Sequence, residues 1–193
     1  SRKKNKLYEE YLKQLGKIKS ILELGAGDGI NFYGWAKGYA EPGSVIISSF
    51  YADKVIAVEI DKNKCNTLDT QLKLRGISNV EIHQSDFKDP KWVKYAKEVS
   101  LVNLDPSSLS SILDRSKTKI SPTIYDIVSG STKLCFTMPL PFRRTYTFNK
   151  IFRIKYSRSL STKKLLKLFS DYFNTSFRCQ YRCKPFIRLI KEG

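Results

Sequence analysis

Short apolar runs bounded by glycine, proline and charged residues alternate along the chain with segments whose apolar positions recur at helical spacing. Leu7, Tyr8, Tyr11, Leu12 and Leu15 recur in this way and predict a basic helix within residues 1–19. Ser20–Leu24 is a short buried strand running into Gly25-Ala26-Gly27-Asp28-Gly29, and a helix follows through Phe32, Trp35 and Ala36. Lys54–Ile60 is a second apolar strand. Asp61 caps the next helix, which runs to Arg75, where Gly76 stops it. Asn79–His83, Glu98–Leu104 and Lys133–Met138 are the third, fourth and fifth strands, the last closed by Pro139. Ser161–Phe173 is a helix with Thr162 as its cap and Leu165, Leu166, Leu168 and Phe169 as apolar positions. Ser176–Tyr181 and Phe186–Lys191 form a closing antiparallel pair around Cys183-Lys184-Pro185.

Strands alternating with helices predict right-handed crossovers and a parallel sheet covered on both faces. The expected fold is therefore α/β: a seven-stranded, mostly parallel sheet with a C-terminal antiparallel hairpin, forming one domain over residues 1–193. Residues 38–53 and 139–160 fit no element and read as insertions or long loops, which in compact domains are usually functional or disordered.

Composition narrows the class. Hydrophobic residues make up 41% of the 193, enough for a core, and no apolar run approaches the roughly 18–20 residues that span a bilayer. The basic N-terminus has no apolar segment behind it, so no secretory signal is expected. Four cysteines without a framework spacing predict an intracellular, reducing compartment. The net charge of +17 is segregated: residues 1–20 carry +5, residues 21–129 carry −1 and residues 130–193 carry +13. Segregation of this kind marks a polyanion-facing surface, since each neutralised phosphate releases counterions; the plainer alternative is a solvated lysine-rich surface.

The glycine run supplies the chemistry. Alternating glycines directly after a strand let backbone approach a ligand closely, and the expected helix N-terminus favours a carboxylate. A dinucleotide fingerprint would need glycine at position 30, which is Ile30. Glu23 ahead of Gly25, Gly27 and Gly29 instead resembles the first motif of class I S-adenosylmethionine-dependent methyltransferases, whose fold is Rossmann-like. Glu59 in AVEID then stands where that family holds ribose hydroxyls, and Asp86 in HQSDF where it meets the adenine amine. The resemblance implies S-adenosylmethionine as cofactor, with Glu23, Gly25, Ala26, Gly27, Gly29, Glu59, Ile60, Asp86 and Phe87 at its site. A ligand with a carboxylate, a diol and an adenine needs such contacts at the carboxyl ends of successive strands. The plainer reading of Glu59 and Asp86 is that of helix caps.

Asn103-Leu104-Asp105-Pro106 ends the fourth strand, where the family's fourth motif faces the methyl acceptor. It resembles the Asn-Leu-Pro-Tyr motif of ribosomal RNA adenine dimethyltransferases and the Asp-Pro-Phe-Gly motif of tRNA guanine-N2 methyltransferases, but Ser107-Ser108 replaces the aromatic. Under one register Asn103 accepts hydrogen bonds from the target amine; under the other Asp105 does, favoured because Pro106 fixes its geometry. Such catalysis is positioning and electrostatics. The alternative is an ordinary helix start, proline early and serine as cap. Phe142, Arg143, Arg144 and Tyr146 follow the fifth strand, and Phe148, Lys150, Phe152, Arg153, Lys155, Tyr156 and Arg158 continue the interleaving of aromatic and basic residues. RNA contacts use aromatic faces for bases and guanidinium forks for phosphates, whereas a hairpin with aromatics inward would give the same pattern.

His83, the single histidine, reads as structural, as do Trp35, Trp92, Cys65 and Cys135. Cys179 and Cys183 lack the company a zinc site needs, so no metal is expected. Residues 38–53 are open between a lid over the cofactor, an extra hairpin and a partner surface. The sequence thus predicts an S-adenosylmethionine-dependent methyltransferase acting on a base nitrogen of nucleic acid. RNA is favoured by analogy, because no separate target-recognition domain is expected. The alternatives are a protein or small-molecule methyltransferase, or a non-catalytic RNA-binding protein on this fold, with or without a protein partner.

Overall fold

Strands β1 (Ile18–Leu24), β4 (Ala52–Glu59) and β5 (Val80–Gln84) pair in parallel, with Leu24 opposite Val58 and Glu59 opposite Gln84. They belong to a computed structural model that describes residues 2–31, 41–141, 145–155 and 160–193. Contacts sort the chain into two compact units, residues 1–87 with 99–103 and residues 88–98 with 104–193. One seven-stranded sheet has the order β5-β4-β1-β6-β7-β9-β8, where β6 is Leu101–Leu104, β7 Lys133–Pro139, β8 Arg178–Cys183 and β9 Phe186–Glu192. The mostly parallel sheet with a closing antiparallel hairpin is the expected architecture.

In the first unit, Ile21, Leu22, Leu24, Val55, Ala57 and Val58 are fully buried, as strands covered on both faces require. Each of these leucine, isoleucine and valine side chains contributes about 1.5–3 kcal/mol. Helix α1 (Arg2–Leu15) buries Tyr8, Tyr11 and Leu12. Helix α3 (Lys62–Leu74) is capped by Asp61, whose carboxylate accepts from Asn63 N at 2.8 Å and Lys64 N at 3.1 Å. Gly76, at φ +65°, follows its last turn.

Of residues 38–53, the described part from 41 onward departs from the expected loop, and 38–40 lie outside the described residues. Glu41–Pro42 (β3) pairs antiparallel with Ile30–Asn31 (β2), and Ser44–Tyr51 forms helix α2, leading straight into β4 two residues earlier than predicted. The reason is local: α2 is apolar nearly all round, and it ends without a glycine or proline to mark it. The helix expected through Phe32, Trp35 and Ala36 lies outside the described residues.

In the second unit, α4 (Lys91–Glu98) takes up Glu98, so the strand expected from that residue begins only at Leu101. Pro122 opens α5 (Pro122–Gly130). Lys191 Nζ donates to Val128 O at 3.0 Å and Ser129 O at 2.8 Å, satisfying carbonyls of the last turn of α5, and burial pushes its pKa down. Among the described residues of 139–160, Thr145–Phe152 form helix α6 where a loop or hairpin was the expectation. Helix α7 (Thr162–Phe173) is capped by Ser161, one residue before the expected Thr162, with Ser161 Oγ accepting from Lys164 N at 3.2 Å. Asn174, in the left-handed region at φ +50°, closes it. Phe136, Phe148, Phe152, Phe169, Tyr172 and Phe173 interlock edge to face and build this unit's core.

Candidate functional site

The glycine loop sits at the carboxyl edge of β1, tied to β4 by Gly25 N and Ala26 N, which both donate to Val58 O at 3.0 and 2.9 Å. Gly25, Gly27 and Gly29 all take positive φ, +83°, +73° and +83°, a region that an L side chain enters at a cost. Two of them differ in surroundings. A Cβ on Gly29 would stand 2.8 Å from Leu68 Cδ1, so a side chain there would have to push the end of Leu68 aside. A Cβ on Gly27 would meet nothing within 4 Å among the described residues, which leave the crest of the loop open. Gly43 N donates to Gly29 O at 2.9 Å, pinching the two ends of the β2–β3 excursion together at its base.

Glu59 braces this loop. Its Oε1 accepts from Gly27 N at 2.9 Å and its Oε2 from Asp61 N at 2.9 Å, joining the loop crest to the cap of α3. Ser85 N donates to Glu59 O at 3.0 Å, which brings the turn after β5 to the same edge. Asp86 on that turn is exposed and Phe87 half-buried. Ile60 is 63% exposed, an apolar side chain left in solvent where β4 ends. Gly25, Gly27, Glu59, Ile60 and Asp86 thus share one edge of the first unit.

Glu23 is placed differently from a surface ligand contact. It has 0% exposure, and both oxygens accept from protein. Ser48 Oγ donates to Oε1 at 2.6 Å, with Tyr8 OH 3.3 Å from the same oxygen and 2.7 Å from Ser48 Oγ. Ser44 Oγ donates to Oε2 at 3.3 Å and Asn103 Nδ2 to Oε2 at 2.8 Å. Three helices and strands beyond β1 therefore converge on one carboxylate. Tyr8, Ser44 and Ser48 were not singled out in the sequence; the signal was two serines four apart inside the apolar stretch Ser44–Tyr51.

The bond to Glu23 settles which way the Asn103 amide faces, because a carboxylate oxygen repels Oδ1 and accepts from Nδ2. Asn103 is 2% exposed, and its Oδ1 is a buried acceptor without a hydrogen-bond partner. Leaving such an atom unsatisfied costs about 1–3 kcal/mol. The first unit therefore holds an oriented amide with one unused acceptor.

Asp105 and Pro106 belong to the second unit, Asp105 half-buried and Pro106 buried. Ser108 follows at the start of a short 3-10 turn (Leu109–Ile112), its Oγ 2.9 Å from Ser110 Oγ rather than capping the backbone. Tyr146 is 75% exposed on α6, with Lys150 Nζ 6.0 Å from its ring centre. Phe148 and Phe152, which the sequence offered as base platforms, are buried in the aromatic core, while Lys150, Arg153 and Lys155 are exposed. Phe142, Arg143, Arg144, Tyr156 and Arg158 lie outside the described residues. His83 lies 2.5 Å from Glu81 Oε1 on β5, Trp92, Cys65 and Cys135 are buried, and Cys183 is exposed. No helix of the described residues is long and apolar enough to cross a membrane.

No protein-family model matches the chain, and no curated protein matches it in sequence. Solved structures do. An rRNA methylase from Streptococcus thermophilus is 12% identical, with 96% of this chain and 94% of that one covered and a TM-score of 0.58. SMU.1697c from Streptococcus mutans, a methyltransferase by its description and solved with S-adenosylhomocysteine, is 15% identical, with 97% of each chain covered and a TM-score of 0.56. The 16S rRNA N2 G1207 methyltransferase of T. thermophilus, solved with S-adenosylmethionine and guanosine, is 14% identical over 97% of this chain and 42% of that one, with a TM-score of 0.55. The chain therefore has the Rossmann-like α/β fold on which these methyltransferases are built.

Proposed function

We propose that the chain is an S-adenosylmethionine-dependent methyltransferase whose acceptor is a base nitrogen in RNA. The observation that carries this reading is the Glu59-braced glycine loop, open at Gly27 and placed beside Ile60 and Asp86. These residues fit the cofactor: backbone at Gly25–Gly27 for its carboxylate end, Glu59 for a diol, Ile60 against the flat face of an adenine and Asp86 for its amine. When bound, the cofactor supplies an electrophilic methyl group on a sulfonium. The chain's own work is to orient and desolvate the acceptor. Asn103 Oδ1 accepts an N–H from the target amine, which aims the nitrogen lone pair along the transfer path; in the other register of the Asn103–Pro106 segment, Asp105 takes that role. Glu23 acts through Asn103 in this scheme, by holding its amide in one orientation.

RNA as the acceptor is supported by charge. The second unit carries 22 lysines and arginines against seven acids, net +15, and the first unit thirteen against eleven, net +2. The test is transfer of labelled methyl from S-adenosylmethionine to total RNA, DNA and protein in parallel, with Asn103→Ala and Asp105→Ala beside the native protein. Label entering RNA, and lost from it in both variants, is the expected result. Label entering protein instead, or no label in any pool, overturns the reading.

A further inference from the structure

Residues 127–191 contain a single acid, Asp171, and Lys167 Nζ already lies 3.1 Å from its Oδ2. Glu192, just beyond, is held by Arg178 through Nη2 at 2.8 Å and Nε at 3.1 Å. The acids of this stretch are therefore matched one to one, and thirteen cations of residues 130–193 have no acid of their own segment to offset them. Such crowding raises the free energy of the folded chain unless a polyanion neutralises it.

Four of the described cations lie at the start of α7 and on the neighbouring end of β8. Helix α7 turns Leu165, Phe169 and Phe173 into the core, so Lys163 and Lys164 on its first turn are exposed. Arg182 is exposed on the edge strand β8, and its Nη1 donates to Thr162 Oγ1 at 3.2 Å, which pins the guanidinium against that first turn. A guanidinium carries more N–H groups than this one bond uses. Lys184 follows, exposed, in the turn between β8 and β9. The positive end of the α7 dipole adds to the same field.

We propose that this surface, the first turn of α7 with Arg182 and Lys184 beside it, grips the phosphodiester backbone of RNA. The proposal rests on the reading of the chain as acting on RNA and names where in the second unit that RNA is held. A membrane surface or an amphipathic peptide would call for apolar anchors. The large exposed hydrophobic residues among those described, Phe50, Ile60, Leu74, Tyr95 and Tyr146, all lie on other elements. Contact through charge and N–H groups alone suits phosphates, whose recognition needs no apolar component and is independent of base sequence.

The experiment measures binding of a short labelled oligouridine RNA across a salt series, independently of methyl transfer. The test variant is Lys163→Gln/Lys164→Gln/Arg182→Gln. The control, Lys62→Gln/Lys64→Gln/Arg75→Gln, removes the same charge from exposed positions on and beside α3 in the first unit. The test variant is expected to bind about tenfold or more weakly at low salt and to lower the slope of log affinity against log salt by about two units, with the control within about twofold of native. Lys163→Gln/Lys164→Gln alone, which leaves the Arg182–Thr162 bond in place, gives a smaller loss in the same direction, and thermal unfolding confirms that each variant folds. The proposal is overturned if the test variant binds like native, if the control loses as much, or if polyglutamate of matched charge competes as well as RNA, which would point to an acidic protein. Failure of the methyltransferase reading shows separately, as native protein that binds RNA and transfers no methyl.

Discussion

Asn103 Nδ2 lies 2.8 Å from Glu23 Oε2 across the neighbouring strands β6 and β1, and this bond fixes the direction of Asn103 Oδ1, a buried acceptor without a hydrogen-bond partner among the described residues. Glu23 thus has a task that a cofactor contact would not require. With both oxygens accepting from Tyr8, Ser44, Ser48 and Asn103, it is the hub that orients an amide.

Replacing Glu23 by Gln puts an amide NH2 where two donors converge, so one bond becomes a clash of donors. The variant is expected to lose about 1–3 kcal/mol in urea unfolding. Its kcat should fall while calorimetric affinity for S-adenosylmethionine stays near native, because the damage reaches the acceptor through Asn103. An affinity loss larger than the kcat loss would place Glu23 at the cofactor instead.

Glu59→Gln separates the other carboxylate. One amide end can still accept, from either Gly27 N or Asp61 N, but the other must face an N–H. The glycine loop then loses its brace, and cofactor affinity is expected to fall by about tenfold or more, for a stability loss of roughly 1–2 kcal/mol. Isothermal titration beside urea unfolding reads the two effects on the same samples.

Gly27→Ala and Gly29→Ala share the backbone cost of an alanine at positive φ, about 1–2 kcal/mol. Gly29→Ala must in addition shift the end of the buried Leu68 side chain, whose Cδ1 is 2.8 Å from the new Cβ, so it is expected to be slightly the more destabilising of the pair. Gly27→Ala meets no atom of the described residues within 4 Å and occupies the loop crest instead, so it is the one whose cofactor affinity is expected to fall further than its stability explains. Equal ratios of binding loss to stability loss in both variants would count against a ligand at that crest.

What the sequence made legible was what is encoded locally. Asp61 before an amphipathic run, Gly76 after it, and strands apolar on both faces each carry their signal within a few residues. The cap of α7 was read one position late because Ser161 and Thr162 are adjacent hydroxyls, and only the bond to Lys164 N distinguishes them. Helix α2 carries no charged residue and no terminating glycine, and its serines Ser44 and Ser48 turn inward to Glu23, so neither a charged solvent face nor a stop signal marks it in the sequence. The Glu23 cluster was invisible for a different reason: its donors come from 15, 21, 25 and 80 residues away, and pairing over such separations leaves no periodic trace. The aromatic and basic residues of 145–155 read equally as an RNA platform or a packed element. On a helix, Phe148 and Phe152 fall on one face and enter the core, which leaves the cations outside.

A last prediction concerns acid stability at the opposite sheet edge. Lys54, and after it His83, hold the Glu81 carboxyl below the usual carboxylate range, with Lys54 Nζ 3.1 Å from Oε2. Because the folded-state value is lowered, the unfolded chain takes up this proton first as pH drops. The pair's contribution is therefore present above the ordinary glutamate range and is lost as pH falls through the lowered value. Both side chains are about half exposed, 55% for Lys54 and 49% for Glu81, so solvent and salt screen the interaction and the effect is small. Glu81→Gln is expected to be slightly less stable than native at neutral pH, with the two stability curves converging in acid, where native Glu81 is itself neutral. Added salt should close the neutral-pH gap. A gap that persists in acid and in high salt would show that Glu81 acts on β5 through packing rather than through charge.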